Sequence, residues 1–206
     1  MLHAETLEPG TFVLLKRIQA LPFMADTRLV GGTALALLLG HRKSVDLVFF
    51  GSWEPKDQLQ SELETCGDLK RLGGKSALQF YMINGVKIDC VTYSQYPWLY
   101  PPVEEDGVRL ASLQDIAAMK VNAITNRGTR KDFVDLYFLL HHFSISEILD
   151  FFSKKYPNTA LFMAIRSLVY FADAEETPVP EMLVPFDWDK AVATIRKKVT
   201  AFAGQV

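Results

Sequence analysis

The chain has 206 residues and a net charge of −2, which suits one large domain or two small ones and is long enough for a real core. The near-balance of 22 Lys and Arg against 24 Asp and Glu excludes a general basic field for nucleic acid, so any such contact must come from local patches. The two cysteines, Cys66 and Cys90, stand in neither a CxxC nor a zinc spacing and read as reduced, buried thiols. In chain order, MLHAETLEPG lacks the apolar run of a signal peptide, and stretches such as ALALLL are too short to span a bilayer. A cytoplasmic protein without membrane contact is expected. Thr11 to Ala20 carries Phe12, Leu14, Leu15 and Ile18 at helical spacing. Leu29 and Val30 read as a short strand, Gly31 and Gly32 as a turn, and TALALLLG as a short buried helix. Asp46 to Phe50 reads as a strand, and EPKDQLQSELETCGD as a polar helix with Leu59 and Leu63 pointing inward.

The period then changes. SALQFYMINGVKIDCVTY is strand, turn, strand around Asn84-Gly85, a strong two-residue hairpin signal. That turn pairs Ile83 with Val86 and Phe80 with Asp89, and it puts Ile88 and Cys90 on one face with Lys87, Asp89 and Val91 on the other. QYPWLYPPVEEDG is a Pro-rich connection and a subdomain boundary. Beyond it the chain is helical. Ser112 and Asp115 form a capping-box pattern for a helix through Asn126, Gly128 breaks it, and Thr129 with Asp132 opens a second helix. Further helices are expected over about 145–156, 159–171 and 187–203. GGKS, from Gly73 to Ser76, resembles the tail of a P-loop, but Leu69 stands where that motif needs Gly and a strand follows, so a turn is expected. His141-His142 reads as helix-end histidine, His41 and Arg42 as a phosphate contact or a solvated loop, and Lys154, Lys155 and IRKK as a weak acceptor patch.

Four pieces carry chemistry. Gly31-Gly32-Thr33, between a strand and a helix, lets backbone N–H groups approach a phosphate, though glycine pairs also serve as plain turns. Asp46 and Asp89 are strand aspartates, which are uncommon. On one face of adjacent strands they would suit Mg²⁺ and a triphosphate, since Mg²⁺ takes few carboxylates plus phosphate oxygens and waters. Lys120 and Arg127 share a helix face, Arg130 and Lys131 follow, and Asp132 and Asp135 lie three apart on the next helix. Asp135 interrupts an apolar helix face, and Lys120 or Arg127 is its expected partner.

These stretches, LVGGTALALLLGHRKSVDL, VKIDCV and DIAAMKVNAITNRGTRKDFVDLYFLL, resemble the AbiEii toxin family of nucleotidyltransferases from abortive-infection and type IV toxin–antitoxin systems. The resemblance runs from about Leu29 to the terminal helices. It implies an α+β fold: a minimal nucleotidyltransferase mixed sheet with flanking helices over residues 1–108, then a helical subdomain over 109–206. It implies a metal-dependent enzyme that moves a nucleoside monophosphate from an NTP to tRNA or another macromolecular acceptor, with a cognate antitoxin as a partner. Asp46 and Asp89 are similar to the family's first and third catalytic carboxylates, and would hold Mg²⁺ or Mn²⁺. Gly31, Gly32 and Thr33 would cradle the triphosphate, and Lys120, Arg127, Lys131, Asp132 and Asp135 fall on the motif that holds and orients the nucleotide. An aminoglycoside-type small-molecule nucleotidyltransferase, which shares the core, is a third reading, disfavoured by the match of the C-terminal half to the toxin family.

One residue departs. The family pattern reads Asp-Leu-Asp-Phe-Phe, and this chain reads Asp46-Leu47-Val48-Phe49-Phe50. Valine cannot bind a metal. At an effective dielectric of about 20, a unit-charge contact at 4 Å is worth about 4 kcal/mol, so loss of one carboxylate between two metals predicts a rate lower by several powers of ten. Three outcomes fit: a slow one-metal enzyme, recruitment of another carboxylate such as Asp132 or Asp135, or a catalytically inactive nucleotide-binding or protein-interaction relative.

Overall fold

The computed structural model describes residues 1–53, 56–75 and 77–204. The chain divides into two compact units, one of Met1–Pro97 and Pro101–Ala111, the other of Trp98–Tyr100 and the described residues from Ser112 onward.

In the first unit, α1 (Pro9–Gln19) begins on proline, whose missing N–H has no partner to lose in the first turn, and buries Leu14, Leu15 and Ile18. β1 (Arg28–Val30) passes straight into α2 (Gly31–Leu39) with no separate turn. Gly31 makes the reversal alone at φ +72°, a conformation open to glycine, and the helix therefore includes both glycines. Gly40 closes α2 in the left-handed conformation, its N–H donating to the Ala36 carbonyl. β2 (Leu47–Gly51) follows, then α3 (Lys56–Glu64), which buries Leu59 and Leu63. Glu54 and Pro55, read as the start of that helix, lie outside the described residues.

β3 (Leu69–Lys75), β4 (Leu78–Ile83) and β5 (Val86–Thr92) come next, and β6 (Val103–Glu105) and β7 (Val108–Leu110) complete a seven-stranded sheet of order β3-β4-β5-β2-β1-β7-β6. β2 with β5 and β1 with β7 pair in parallel, the other neighbours antiparallel, so the sheet is mixed. The hairpin at Asn84-Gly85 has the expected register, with Ile83 opposite Val86 and Phe80 opposite Asp89. Gly73 and Gly74 do not form a turn. They lie in β3, paired with Phe80 and Gln79 of β4, just past a bulge between Arg71 and Gly73 that leaves Leu72 without a register partner. Ser76 of the same motif lies outside the described residues. The Pro-rich connection also holds structure, because Asp106-Gly107 turns β6 back onto β7 with both residues at positive φ.

The second unit contains α4 (Leu113–Asn126), α5 (Arg130–Leu139), α6 (Ile145–Lys155), α7 (Leu161–Ser167), α8 (Ala172–Glu175) and α9 (Trp188–Ala203). Ser112 caps α4 by accepting the Asp115 N–H at 3.0 Å, and Ser144 with Glu147 forms a full capping box on α6. Thr129 does not cap α5 with its side chain; its hydroxyl donates to the Asp132 carboxylate instead. The single helix expected over 159–171 is broken. Val169-Tyr170-Phe171 is β-branched and aromatic, which propagates a helix poorly. Phe171 turns inward, its ring 4.7 Å from Phe133 and 6.3 Å from Trp188. Among the described residues no helix is long and apolar enough to cross a membrane.

Candidate active site

The parallel pairing of β2 with β5 sets the face that bears the two strand aspartates. Leu47 lies beside Ile88, Val48 beside Asp89 and Phe49 beside Cys90. Leu47, Phe49, Ile88 and Cys90 are buried on the inner face, so alternation puts Val48 and Asp89 together on the other face, and carrying it back one residue beyond the strand assigns Asp46 to that side. Position 48, where a second carboxylate would stand, is thus the sheet neighbour of Asp89.

Asp89 is half satisfied. Its Oδ2 accepts a hydrogen bond from Lys87 Nζ at 2.8 Å, while Oδ1 is buried with no hydrogen-bond partner among the described residues. A buried polar atom left unpaired costs on the order of 1–3 kcal/mol, and more when charged, so such an atom marks a place for a ligand. Among the described residues no three His, Cys, Asp or Glu side chains gather into a ready metal nest. A donor set of Asp46 and the free oxygen of Asp89 fits a hard cation that brings its other ligands with it. Val48 fits none.

The loop from α2 to β2 aims Asp46. The Thr33 hydroxyl, on buried α2, donates to the Asp46 carbonyl and lies 2.7 Å from the Ser44 hydroxyl. Thr33 is therefore committed to positioning Asp46. His41 and Arg42 are not solvated: both are buried, at 1 % and 4 % exposure. The Arg42 guanidinium lies against Gly32, where a Cβ would fall 2.3 Å from Nη2, and its Nη1 donates to the Lys43 carbonyl at 2.9 Å. A cation buried against the α2 N-terminus was only half legible in the sequence, as the Arg after His41.

In the helical unit the four cations around Gly128 do not pool. Lys120 is buried, its Nζ 3.0 Å from Asp132 Oδ1 and 2.5 Å from Asp135 Oδ2, so the expected partnership with Asp135 is present. Both carboxylates are fully buried, which leaves them no surface to offer a ligand directly. Burial pushes the Asp132 carboxyl up, but Lys120, the Thr129 hydroxyl and Arg127 together outweigh it and hold it below the ordinary range. Arg127 is largely exposed with its Nε 3.5 Å from Asp132, and Lys131 is exposed. Arg130 stacks over Trp188 at 4.9 Å and donates to the Glu175 carbonyl.

Lys155 is no part of a surface patch. It is fully buried, 2.6 Å from Asp115 Oδ1 and 4.6 Å from the Trp98 ring centroid. Asp115 also accepts the Leu99 and Tyr100 backbone N–H groups and the Ser112 hydroxyl. A cap residue and a surface lysine were all the sequence offered for this hub.

The sequence profile described as nucleotidyl transferase AbiEii toxin, type IV toxin–antitoxin system, matches residues 13–75 and 84–203. The chain belongs to the AbiEii family. An uncharacterised protein of Aquifex aeolicus is 33 % identical over 195 residues, covering 91 % of this chain and 93 % of its own. Among solved structures, JHP933 of Helicobacter pylori superposes with a TM-score of 0.56 at 18 % identity, covering 95 % of this chain and 90 % of that one. MenT4, a nucleotidyltransferase toxin of Mycobacterium tuberculosis, superposes with a TM-score of 0.57 at 12 % identity, covering 93 % and 84 %. The fold is thus the nucleotidyltransferase α+β fold, and nucleotidyl transfer is the AbiEii family's activity. Asp46, Val48 and Asp89 all fall within the matched residues.

Proposed function

We propose that this chain moves a nucleoside monophosphate from an NTP to a macromolecular acceptor such as tRNA, slowly, through a divalent-metal site reduced by Val48. The unpaired, buried Oδ1 of Asp89, on the face to which the alternation of β2 assigns Asp46, carries the reading. Mg²⁺ or Mn²⁺ bound there supplies neutralisation of the triphosphate and polarisation of the α-phosphoryl oxygen. Asp46 and Asp89 hold it, and Thr33 fixes the loop that aims Asp46. The N–H groups of Gly31 and Gly32 at the start of α2 receive phosphate oxygens, with the Arg42 guanidinium beside them. Arg127 and Lys131 supply exposed positive charge in the helical unit, while Lys120, Asp132 and Asp135 hold that junction in shape. An acceptor hydroxyl attacks the α-phosphorus, the bond to the β-phosphate oxygen breaks, pyrophosphate leaves, and the hydroxyl proton passes to solvent. The type IV assignment of the family supports a cognate antitoxin as a further partner.

Val48 favours a second reading, a nucleotide-binding relative without turnover. Label transfer from α-labelled NTPs to a pool of tRNA and protein separates the two. Transfer by the native chain that Asp46→Ala abolishes supports the slow enzyme, and Val48→Asp should raise it by about tenfold or more, the effect of about 1.4 kcal/mol in the barrier. Transfer by Val48→Asp alone establishes the binding relative.

A further inference from the structure

Lys87 has no task in that reading, yet it stands in the middle of the site's face. Its Nζ is 2.8 Å from Asp89 Oδ2, and the two side chains are 41 % and 17 % exposed. Its ammonium also lies 5.6 Å from the centroid of Phe80, the neighbour of Asp89 on β4. On its other side Asp89 has Val48. Phe80 and Val48 bring no charge, so Lys87 is what balances this carboxylate. Continuing the β2–β5 register one step past Leu47 and Ile88 puts Lys87 beside Asp46 as well.

The charge balance of the face follows. Two carboxylates against one ammonium leave a single net negative charge. Two divalent ions a few ångströms apart repel four times as strongly as two unit charges, and anions around them must offset that. This face cannot. With Asp at position 48 it would carry one carboxylate more, and without Lys87 one cation fewer.

We propose that Lys87 takes the place of a second metal ion, its ammonium holding Asp89 Oδ2 and leaving Oδ1 for one divalent cation that arrives with the nucleotide. The inference rests on the nucleotidyl-transfer reading and deepens it by fixing the cation stoichiometry. Lys87 and Val48 then form a matched pair: losing the second carboxylate and supplying a fixed positive charge are two halves of one change. Lys87 acts here by positioning Asp89 and by its charge.

The test is a count of bound ions. The full-length chain, with a non-hydrolysable α,β-methylene NTP, is titrated with Mn²⁺ while paramagnetic resonance follows the free ion. The native chain and Lys87→Arg should bind one Mn²⁺ per nucleotide complex. The double variant Val48→Asp, Lys87→Met should bind two. Lys87→Met alone, without nucleotide, should bind Mn²⁺ about tenfold more tightly, because an ammonium at hydrogen-bond distance no longer competes for Asp89. Urea midpoints within error of the native chain show that these half-exposed substitutions leave the fold intact. Two ions in the native chain, or one in the double variant, overturns the role of Lys87 and leaves nucleotidyl transfer standing. An unchanged affinity in Lys87→Met does the same. No Mn²⁺ bound by any form, with or without nucleotide, overturns both.

Discussion

Asp132 ties the helical unit to pH. Its folded-state pKa lies below the ordinary range because Lys120, Thr129 and Arg127 outweigh the opposing effect of burial. A depressed carboxyl contributes stability that is present above its unfolded value of about 4 and is lost as pH falls through the lower, folded value. The urea midpoint should therefore drop below about pH 4, and Asp132→Asn should flatten that slope; an unchanged slope would remove Asp132 from the acid response. Lys120 is the other side of the same contact. Lys120→Met removes the ammonium that two fully buried carboxylates share, and breaking a buried pair of this kind costs about 3–5 kcal/mol. Chemical denaturation should register that loss in the absence of any nucleotide. If Lys120→Met lowers nucleotide affinity while stability stays native, the ammonium is serving the ligand and not the fold.

The junction of β1 and α2 separates two glycines with different work. Gly31 is at φ +72° with open space where a Cβ would go, so Gly31→Ala should cost about 1–2 kcal/mol in stability through backbone strain alone. Gly32 has ordinary dihedrals but sits against the end of Arg42. Gly32→Ala should displace that guanidinium, leaving stability within about 1 kcal/mol of native while NTP affinity falls, which paired denaturation and titration experiments would read. Elements with a strong local signal were legible in the sequence: the Asn84-Gly85 hairpin with its register, the Ser112 cap, and the alternation that separates Asp89 from Ile88 and Cys90. Elements made by distant partners were not. β3 has no clean alternation and exists through its pairing with β4. β6 and β7 carried an Asp-Gly turn, hidden among prolines. At the site, the sequence could give the face of Asp46 and Asp89 but not which oxygen Lys87 occupies, nor that Arg42 is buried against Gly32. Likewise, Lys155 is buried by an aspartate on another helix, a fact no local pattern contains.

Across the molecule, the fully buried carboxylates among the described residues and the thiols lie in different units. Cys66 and Cys90 are both 1 % exposed in the sheet unit, and burial pushes both thiols up. Thiol reagents should label neither in the native protein at pH 8, and labelling should proceed at the opening rate of the sheet; fast labelling of Cys90 would show that β5 opens locally. The buried Asp115, Asp132 and Asp135, by contrast, all belong to the helical unit. That unit is not one continuous length of chain. Trp98, Leu99 and Tyr100 belong to it and reach Asp115 and Lys155, whereas β6 and β7, which come next in the chain, belong to the sheet. A gene fragment starting at Ser112 would encode every helix from α4 onward and still lack two of the donors for a fully buried carboxylate. Starting at Trp98 restores them but carries along two strands cut from their sheet. The two units are thus interleaved in the gene, and no single cut can express, swap or transplant one of them whole.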